Sequence, residues 1–196
     1  MHKRMSNWVY SCIMLGVAVA AMALGGCDVT AMLSTPTPVP TGTPTPVPDT
    51  AYDSDFFHVS ARLPGRDWQP PQRLDIDDPV SDLVMSLDRD QILTVSTSSR
   101  YIPKNLLDIH TFVASFAETA YSPPQHITDE DFHGYQAVRL EATWTKSGLP
   151  YDYHIVQYFF VARSQLYFVG AGTNVPDWDS GGKEVVTEIL DSVRFR

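Results

Sequence analysis

Between Ser34 and Thr50 the chain reads Ser-Thr-Pro-Thr-Pro-Val-Pro-Thr-Gly-Thr-Pro-Thr-Pro-Val-Pro-Asp-Thr. Proline at nearly every second position fixes φ and removes backbone donors, so neither helix nor sheet can be built here, and polyproline II is the natural conformation. At about 3.1 Å per residue such a segment reaches roughly 50 Å. It reads as a semi-rigid spacer; a ligand for a proline-recognising domain and an O-glycosylated Thr-Pro stalk are the other two readings of the same composition. Whatever folds must therefore lie on one side of it, and the apolar content after it points to residues 51–196.

The segment before the spacer has a different character. His2, Lys3 and Arg4 precede an apolar run from about Val9 to Leu24, which leads into Leu24-Gly25-Gly26-Cys27. A positive start, an apolar middle and small residues before a cut are the order of a secretory signal. About 16 apolar residues give roughly 24 Å of helix, short of the roughly 30 Å hydrocarbon core. Leu-Gly-Gly-Cys resembles the lipobox of bacterial lipoproteins, in which the Cys thiol takes up diacylglycerol and becomes the new N-terminus. The expectation is a signal peptide over residues 1–26, then the lipid-bearing Cys27 and stalk over 27–50. Two other readings stand beside it: cleavage after the A-x-A site Ala21-Met22-Ala23, releasing a soluble chain, and an uncut N-terminal anchor. Asp28 resembles the residue that holds lipoproteins in the inner membrane of bacteria with two membranes.

The chain's other cysteine, Cys12, falls inside the removable segment, so a mature chain beginning at Cys27 has no thiol for a disulfide, a metal cluster or nucleophilic catalysis. Export permits disulfides; without one, the core alone must hold the domain. The chain carries 14 Lys and Arg against 23 Asp and Glu, a net charge of −9, and loss of Lys3 and Arg4 makes it more acidic still. That balance disfavours nucleic acid and anionic headgroups as direct partners.

Residues 51–196 suit one domain. Phe56 to Gly65 reads as a β run closed by Pro64-Gly65, with Trp68 and Pro70-Pro71 following. Leu83–Leu87 and Ile92–Thr97 read as a hairpin across Asp88-Arg89-Asp90. From Asn105 to about Ala120 the period changes: Leu106, Ile109, Phe112, Val113, Phe116 and Ala120 share one helical face, with Asn105 as N-cap and Pro123-Pro124 as terminator. From Gln136 to Trp144 the side chains alternate, with Val138, Leu140, Ala142 and Trp144 inward. A turn at Ser147-Gly148-Leu149-Pro150 follows. Tyr151–Ala162 and Leu166–Gly172 are apolar on both faces, as central strands are, and the short Arg163-Ser164 joint pairs them antiparallel. Ser180 to Val193 carries Val185, Val186, Ile189, Leu190 and Val193 on one stripe, a second helix. Strands with helices set apart imply an α+β fold: an antiparallel β-sheet with helices packed on its faces.

The opening strand into Leu63-Pro64-Gly65-x-x-Trp68, the strand entered at His133-Gly134-Tyr135-Gln136-Ala137, the paired strands ending at Gly170, and the closing Ile189-Leu190-Asp191-Ser192-Val193-Arg194-Phe195 occur in the order of the PsbP-like (DcrB-like) αβα sandwich. The chain resembles that family over nearly all of residues 51–196. The family includes photosystem accessory proteins, a nuclear-transport cofactor and bacterial lipoproteins. The resemblance implies an accessory or protein-binding role without chemistry of its own; fold does not fix function.

Clusters of reactive side chains bear a structural and a chemical reading. His126, Asp129, Glu130, Asp131 and His133 are metal-ligating types, but all are local and suit a solvated loop or strand edge. Asp75, Asp77, Asp78 and Asp82 have charge for calcium yet lack the glycine and distal glutamate of an EF-hand loop. Asp177-Trp178-Asp179 reads as the frame of the last helix. Neither a Gly-x-Ser-x-Gly elbow, nor a His-Glu-x-x-His pair, nor a phosphate-cradling glycine loop is present. The expectation is therefore no catalytic residue, no bound cofactor and no metal, with Cys27 as the one functional position. Trp144 and Tyr158 are expected in the core; Trp68 and Trp178 flank loops and could line a pocket. Three functions follow in order: a lipid-tethered domain on the extracytoplasmic face that binds an envelope protein, a small-ligand or carbohydrate-binding lipoprotein, and a hydrolase with a dispersed Ser-His-Asp triad.

Intact mass of the membrane-extracted chain should equal residues 27–196 plus a diacylglycerol-modified cysteine; an unmodified N-terminus at Leu24 overturns the lipidation reading. Shortening the Thr-Pro repeat should leave the melting temperature within about 2 °C, since a surface change away from packed groups costs under about 0.5 kcal/mol.

Overall fold

The computed structural model describes residues 49–65, 67–75, 79–145 and 150–196. The expected signal peptide, Cys27, residues 27–48 of the expected stalk, Asp77, Asp78 and most of the Ser147–Pro150 turn lie outside the described residues; Thr50, expected to end the stalk, opens a strand instead. In chain order the elements are β1 (Thr50–Ser54), β2 (Val59–Leu63), β3 (Gln72–Asp75), β4 (Val80–Met85), β5 (Gln91–Ser98), α1 (Leu106–Ala120), β6 (Ser122–Phe132), β7 (Tyr135–Trp144), β8 (Tyr153–Ala162), β9 (Gln165–Asn174), α2 (Gly182–Ser192) and β10 (Arg194–Phe195). A short 3-10 segment, Val175–Ser180, precedes α2. The main sheet has seven strands in the order β3-β4-β5-β9-β8-β7-β6, every pairing antiparallel. A second sheet, β1-β2-β10, is also antiparallel. The α+β reading holds.

β9 sits fourth of seven, and its residues from Leu166 onward are all buried, so both faces of the sheet must be covered. On one face Val84, Leu93, Val95, Val156, Phe160, Tyr167 and Val169 pack with Val186, Ile189, Leu190 and Val193 of the C-terminal segment and with Tyr52, Phe57, Val59 and Leu63 of the small sheet. On the other, Val138, Leu140, Phe159, Leu166 and Phe168 pack under Ile109, Val113 and Ala117 of α1. The alternation of β8 divides these cores: Phe159 goes to α1 and Phe160 to α2.

α1 begins where Asn105 caps it, the Asn105 Oδ1 accepting from the Asp108 N–H at 2.9 Å. It ends at Ala120, but Pro123-Pro124 belongs to β6. Proline is tolerated there because β6 is an edge strand. β3 likewise occupies what the acidic residues suggested was loop: Asp75 closes an edge strand paired with β4. The opening strand is shorter than expected, since Asp55–His58 turn the chain between β1 and β2. α2 starts at Gly182 rather than Ser180, because the 3-10 segment takes the preceding residues.

Two hairpins turn on two residues each. Arg163 and Ser164 join β8 to β9 with φ of 50° and 58°, and His133 and Gly134 join β6 to β7 with φ of 54° and 87°. Positive φ at both central positions matches the strand twist and is the natural place for Asn-Gly. Gly134 fits its position without strain, whereas Ser164 does not.

Ser164→Gly should raise stability by about 0.5–1 kcal/mol in urea unfolding. Phe159→Ala, at a fully buried position, should lower it by about 3–5 kcal/mol. Asn105→Ala should cost about 1 kcal/mol.

Candidate functional site

α1 does not cover its whole face of the sheet. A helix with its side chains is about 10–12 Å across, whereas seven strands at about 4.8 Å spacing make a sheet about 29 Å wide. The helix lies over β6, β7 and β8 and over Leu166 and Phe168 of β9, and the part of the same face formed by β3, β4, β5 and the Gly170 end of β9 is left beside it. There the sheet and the end of α1 enclose a cavity of about 360 Å³.

Registry shows how its floor is made. One row of cross-strand partners runs Leu83, Thr94, Gly170, Gln157, Leu140 from β4 to β7. The next runs Ser81, Ser96, Phe168, Phe159, Val138. Both rows pass from large apolar side chains beneath α1 to smaller or polar ones, Gln157, Gly170 and Thr94 in the first and Ser96 and Ser81 in the second, and the first closes on Leu83. Gly170 is the low point: a Cβ added there would lie 3.0 Å from Gln157 Cγ and 3.1 Å from Thr94 Oγ1, closer than those side chains allow without shifting. Phe116, Ala120 and Tyr121 wall the cavity on the α1 side, with Leu74, Pro79, Trp144 and Ile155 around it.

The polar groups of this site are neutral. Tyr121 donates from its hydroxyl to Gln157 Oε1 at 2.6 Å, and burial pushes the Tyr121 pKa well above its ordinary value, so the phenol stays protonated. Thr94 donates to the Gly170 carbonyl at 3.3 Å. Asp82 borders the cavity, but alternation along β4 turns its carboxylate to the opposite face. There it accepts from the Tyr52 hydroxyl at 3.0 Å and pairs with Arg73. Burial, foremost, raises the Tyr52 pKa and keeps that hydroxyl a donor.

The residues singled out by sequence are dispersed. His126, Asp129, Glu130 and Asp131 lie exposed along the edge strand β6. His133 is a turn residue whose Nε2 lies 2.9 Å from the Leu190 carbonyl. No group of three metal-ligating side chains comes together among the described residues. Trp68 packs against the α2-side core, and Trp178 stacks on His154 with ring centroids 3.7 Å apart; neither borders the cavity. Trp144 does, and it is half-buried rather than part of the sealed core; Tyr158 too is half-buried, stacked on Phe132. Sequence reading missed Gln157, Tyr121, Thr94 and Gly170 because each looks like an ordinary strand or helix-end residue; the one signal was a glutamine inside an otherwise apolar strand.

A second polar group lies on the α2 side of the β7–β8 pair. Glu141 accepts from Arg139 and sits 2.8 Å from His154 Nε2. Burial alone would raise the Glu141 pKa, but the hydrogen bonds from Arg139 and His154 and their charges outweigh it, and the net shift is downward. Among the described residues no serine, threonine or cysteine is hydrogen-bonded to His154, and the group is an Arg139–Glu141 ion pair with a histidine hydrogen-bonded to it.

No family model and no curated protein matches the chain by sequence. Solved structures do. Cyanobacterial PsbP (CyanoP) from Synechocystis superposes with a TM-score of 0.50 at 18% identity, over 81% of this chain and the whole of that one. The fold is PsbP-like. LpqN, a protein involved in cell envelope biogenesis of Mycobacterium tuberculosis, superposes more loosely, with a TM-score of 0.41 at 15% identity, over 80% of this chain and 88% of that one. Among the described residues no helix is long and apolar enough to cross a membrane.

Because the folded pKa of Glu141 is below its unfolded value of about 4.3, its contribution to stability is fully present above that value and lost as pH falls through the folded one. Glu141→Gln should therefore destabilise the domain at pH 7 and make little difference at pH 2, read as the shift in urea midpoint at each pH.

Proposed function

We propose that this protein is a lipid-tethered accessory domain of the cell envelope that binds rather than transforms its partner. The observation that carries this reading is the neutral cavity beside α1: it is recessed and walled by apolar and aromatic groups, and the polar side chains at its floor are an amide and hydroxyls rather than a nucleophile with its base. The lipobox-like Leu24-Gly25-Gly26-Cys27 supports attachment through Cys27 on the extracytoplasmic side, and the Thr-Pro segment supports a domain held clear of the lipid surface. The accessory role implied by the PsbP-like fold agrees with both. An envelope protein is the first partner, bound by a domain whose acidity keeps it from anionic headgroups.

A small-ligand role is the second reading, favoured by Trp144, Tyr121 and Gln157 meeting at one cavity. It places the ligand away from the Trp68 and Trp178 positions that the sequence suggested.

Cys27→Ala should move the protein from the membrane to the soluble extracytoplasmic fraction and abolish labelling with radioactive palmitate. Crosslinking in intact cells, followed by purification from membranes, should recover an envelope protein with the native chain; recovery of the chain alone speaks against a protein partner.

A further inference from the structure

We infer that the cavity beside α1 is a binding site for a small uncharged molecule: a mainly apolar body carrying one hydrogen-bond acceptor, a carbonyl or hydroxyl oxygen, directed at Gln157 Nε2. This deepens the small-ligand reading and names its site.

Three observations meet here. Gln157 is about 95% buried, at 5% exposure, and lines the cavity. Its Oε1 is taken by the Tyr121 hydroxyl at 2.6 Å, while its Nε2 has no hydrogen-bond partner among the described residues. The residue is buried but this nitrogen opens on the cavity, so a ligand oxygen seated there can take its free N–H. The Tyr121 bond fixes the orientation: with the phenol donating, the oxygen end of the amide is held toward α1 and the donor end is the one left for a ligand.

The space is also built. Gly170 sits between Thr94 and Gln157 in the cross-strand row, and a side chain there would meet both. The volume of about 360 Å³ lies at the low end of the about 300–1,000 Å³ typical of ligand pockets. It suits one compact body between Trp144, Phe116 and Tyr121.

Charge sets the ligand class. Among the described residues bordering the cavity Asp82 is the sole ionisable carboxylate, and its oxygens are engaged on the other face by Tyr52 and Arg73. Among the described residues no lysine, arginine or histidine borders it. An ion entering such a site would lose hydration without gaining a counter-charge, a cost that excludes carboxylates, phosphates and ammonium groups.

Benzophenone, diphenylmethane and 4-benzoylbenzoate test this with one body and three polar endings: a neutral acceptor, none, and a charge. The full mature chain with Cys27→Ser is used, so that neither detergent nor membrane competes. Titration followed by Trp fluorescence should show saturable binding of benzophenone at one equivalent, at least about fivefold tighter than diphenylmethane, the value of one hydrogen bond of about 1 kcal/mol. Gln157→Leu should erase that preference while still binding diphenylmethane. 4-Benzoylbenzoate should bind at least about tenfold more weakly than benzophenone. Ala120→Trp, at a half-buried position on the cavity wall, should abolish binding and leave the circular dichroism spectrum unchanged. Irradiation should place the benzophenone label on peptides containing Trp144, Phe116 or Tyr121.

Absence of saturable binding, a preference that survives Gln157→Leu, equal binding of the charged probe, or label elsewhere overturns the proposal. Membrane attachment through Cys27 and capture of an envelope partner are read separately, so failure here leaves the accessory reading to its own tests. If binding is confirmed, a neutral compound extracted from the membrane-isolated native chain but not from soluble Cys27→Ser identifies a lipid-phase source, and its presence on both identifies a dissolved one.

Discussion

The burial of β9 on both faces organises this domain. From Leu166 to Asn174 no position is left to solvent, so the seven-stranded sheet needs a layer on either side. The chain meets that requirement asymmetrically. On one face α2, β1, β2 and β10 together cover the sheet, with Val186, Ile189 and Leu190 set against Val169, Ala171 and Val156. On the other there is α1, whose 15 residues span about 22 Å of length but one helix diameter of width. What remains uncovered is the cavity.

The sequence beneath that gap is adapted to it. Where α1 presses on the sheet, the facing residues are Phe159, Phe168, Val138 and Leu140; where it does not, they become Thr94, Ser96, Gln157 and Gly170. An apolar floor would have left a patch of the kind that drives association. The hydroxyls and the amide interrupt that floor instead, and Tyr121 and Gln157 tie the cavity wall to it. The same economy appears across the sheet, where Asp82, Tyr52 and Arg73 join β4, β1 and β3, and thereby couple the small sheet to the edge of the large one. Acidic residues that looked like a loop able to attract calcium are in part structural: Asp82 is 3% exposed and already fully engaged.

The elements read well wherever one local pattern decided them. α1 follows from six apolar residues at helical spacing behind Asn105, and the β8–β9 hairpin from two apolar runs separated by two residues. The edge strands β3 and β6 were less legible: Gln-Arg-Leu-Asp and Ser-Pro-Pro-Gln-His-Ile-Thr-Asp carry neither alternation nor β propensity, and they are strands because β4 and β7 offer open edges to pair with. Trp144 and Tyr158 sit on inward-looking positions of their strands, yet both end half-buried at the margins of the core.

Cys27, the Thr-Pro segment and the acidic balance are properties of contiguous residues or of the total composition, so the expectations of an anchor and a spacer rest on the sequence alone. The two-layered core is legible too, since β-period and helical period are local. The cavity is not. Gln157, Gly170, Thr94 and Tyr121 are brought together only by the register of β5, β9 and β8 and by where α1 ends: a one-residue slip of β8 against β9 would turn the amide to the opposite face, and one of β5 would turn Thr94 away. Nearest neighbours decide which elements form. The pairing between strands far apart in the chain decides which side chains share a site.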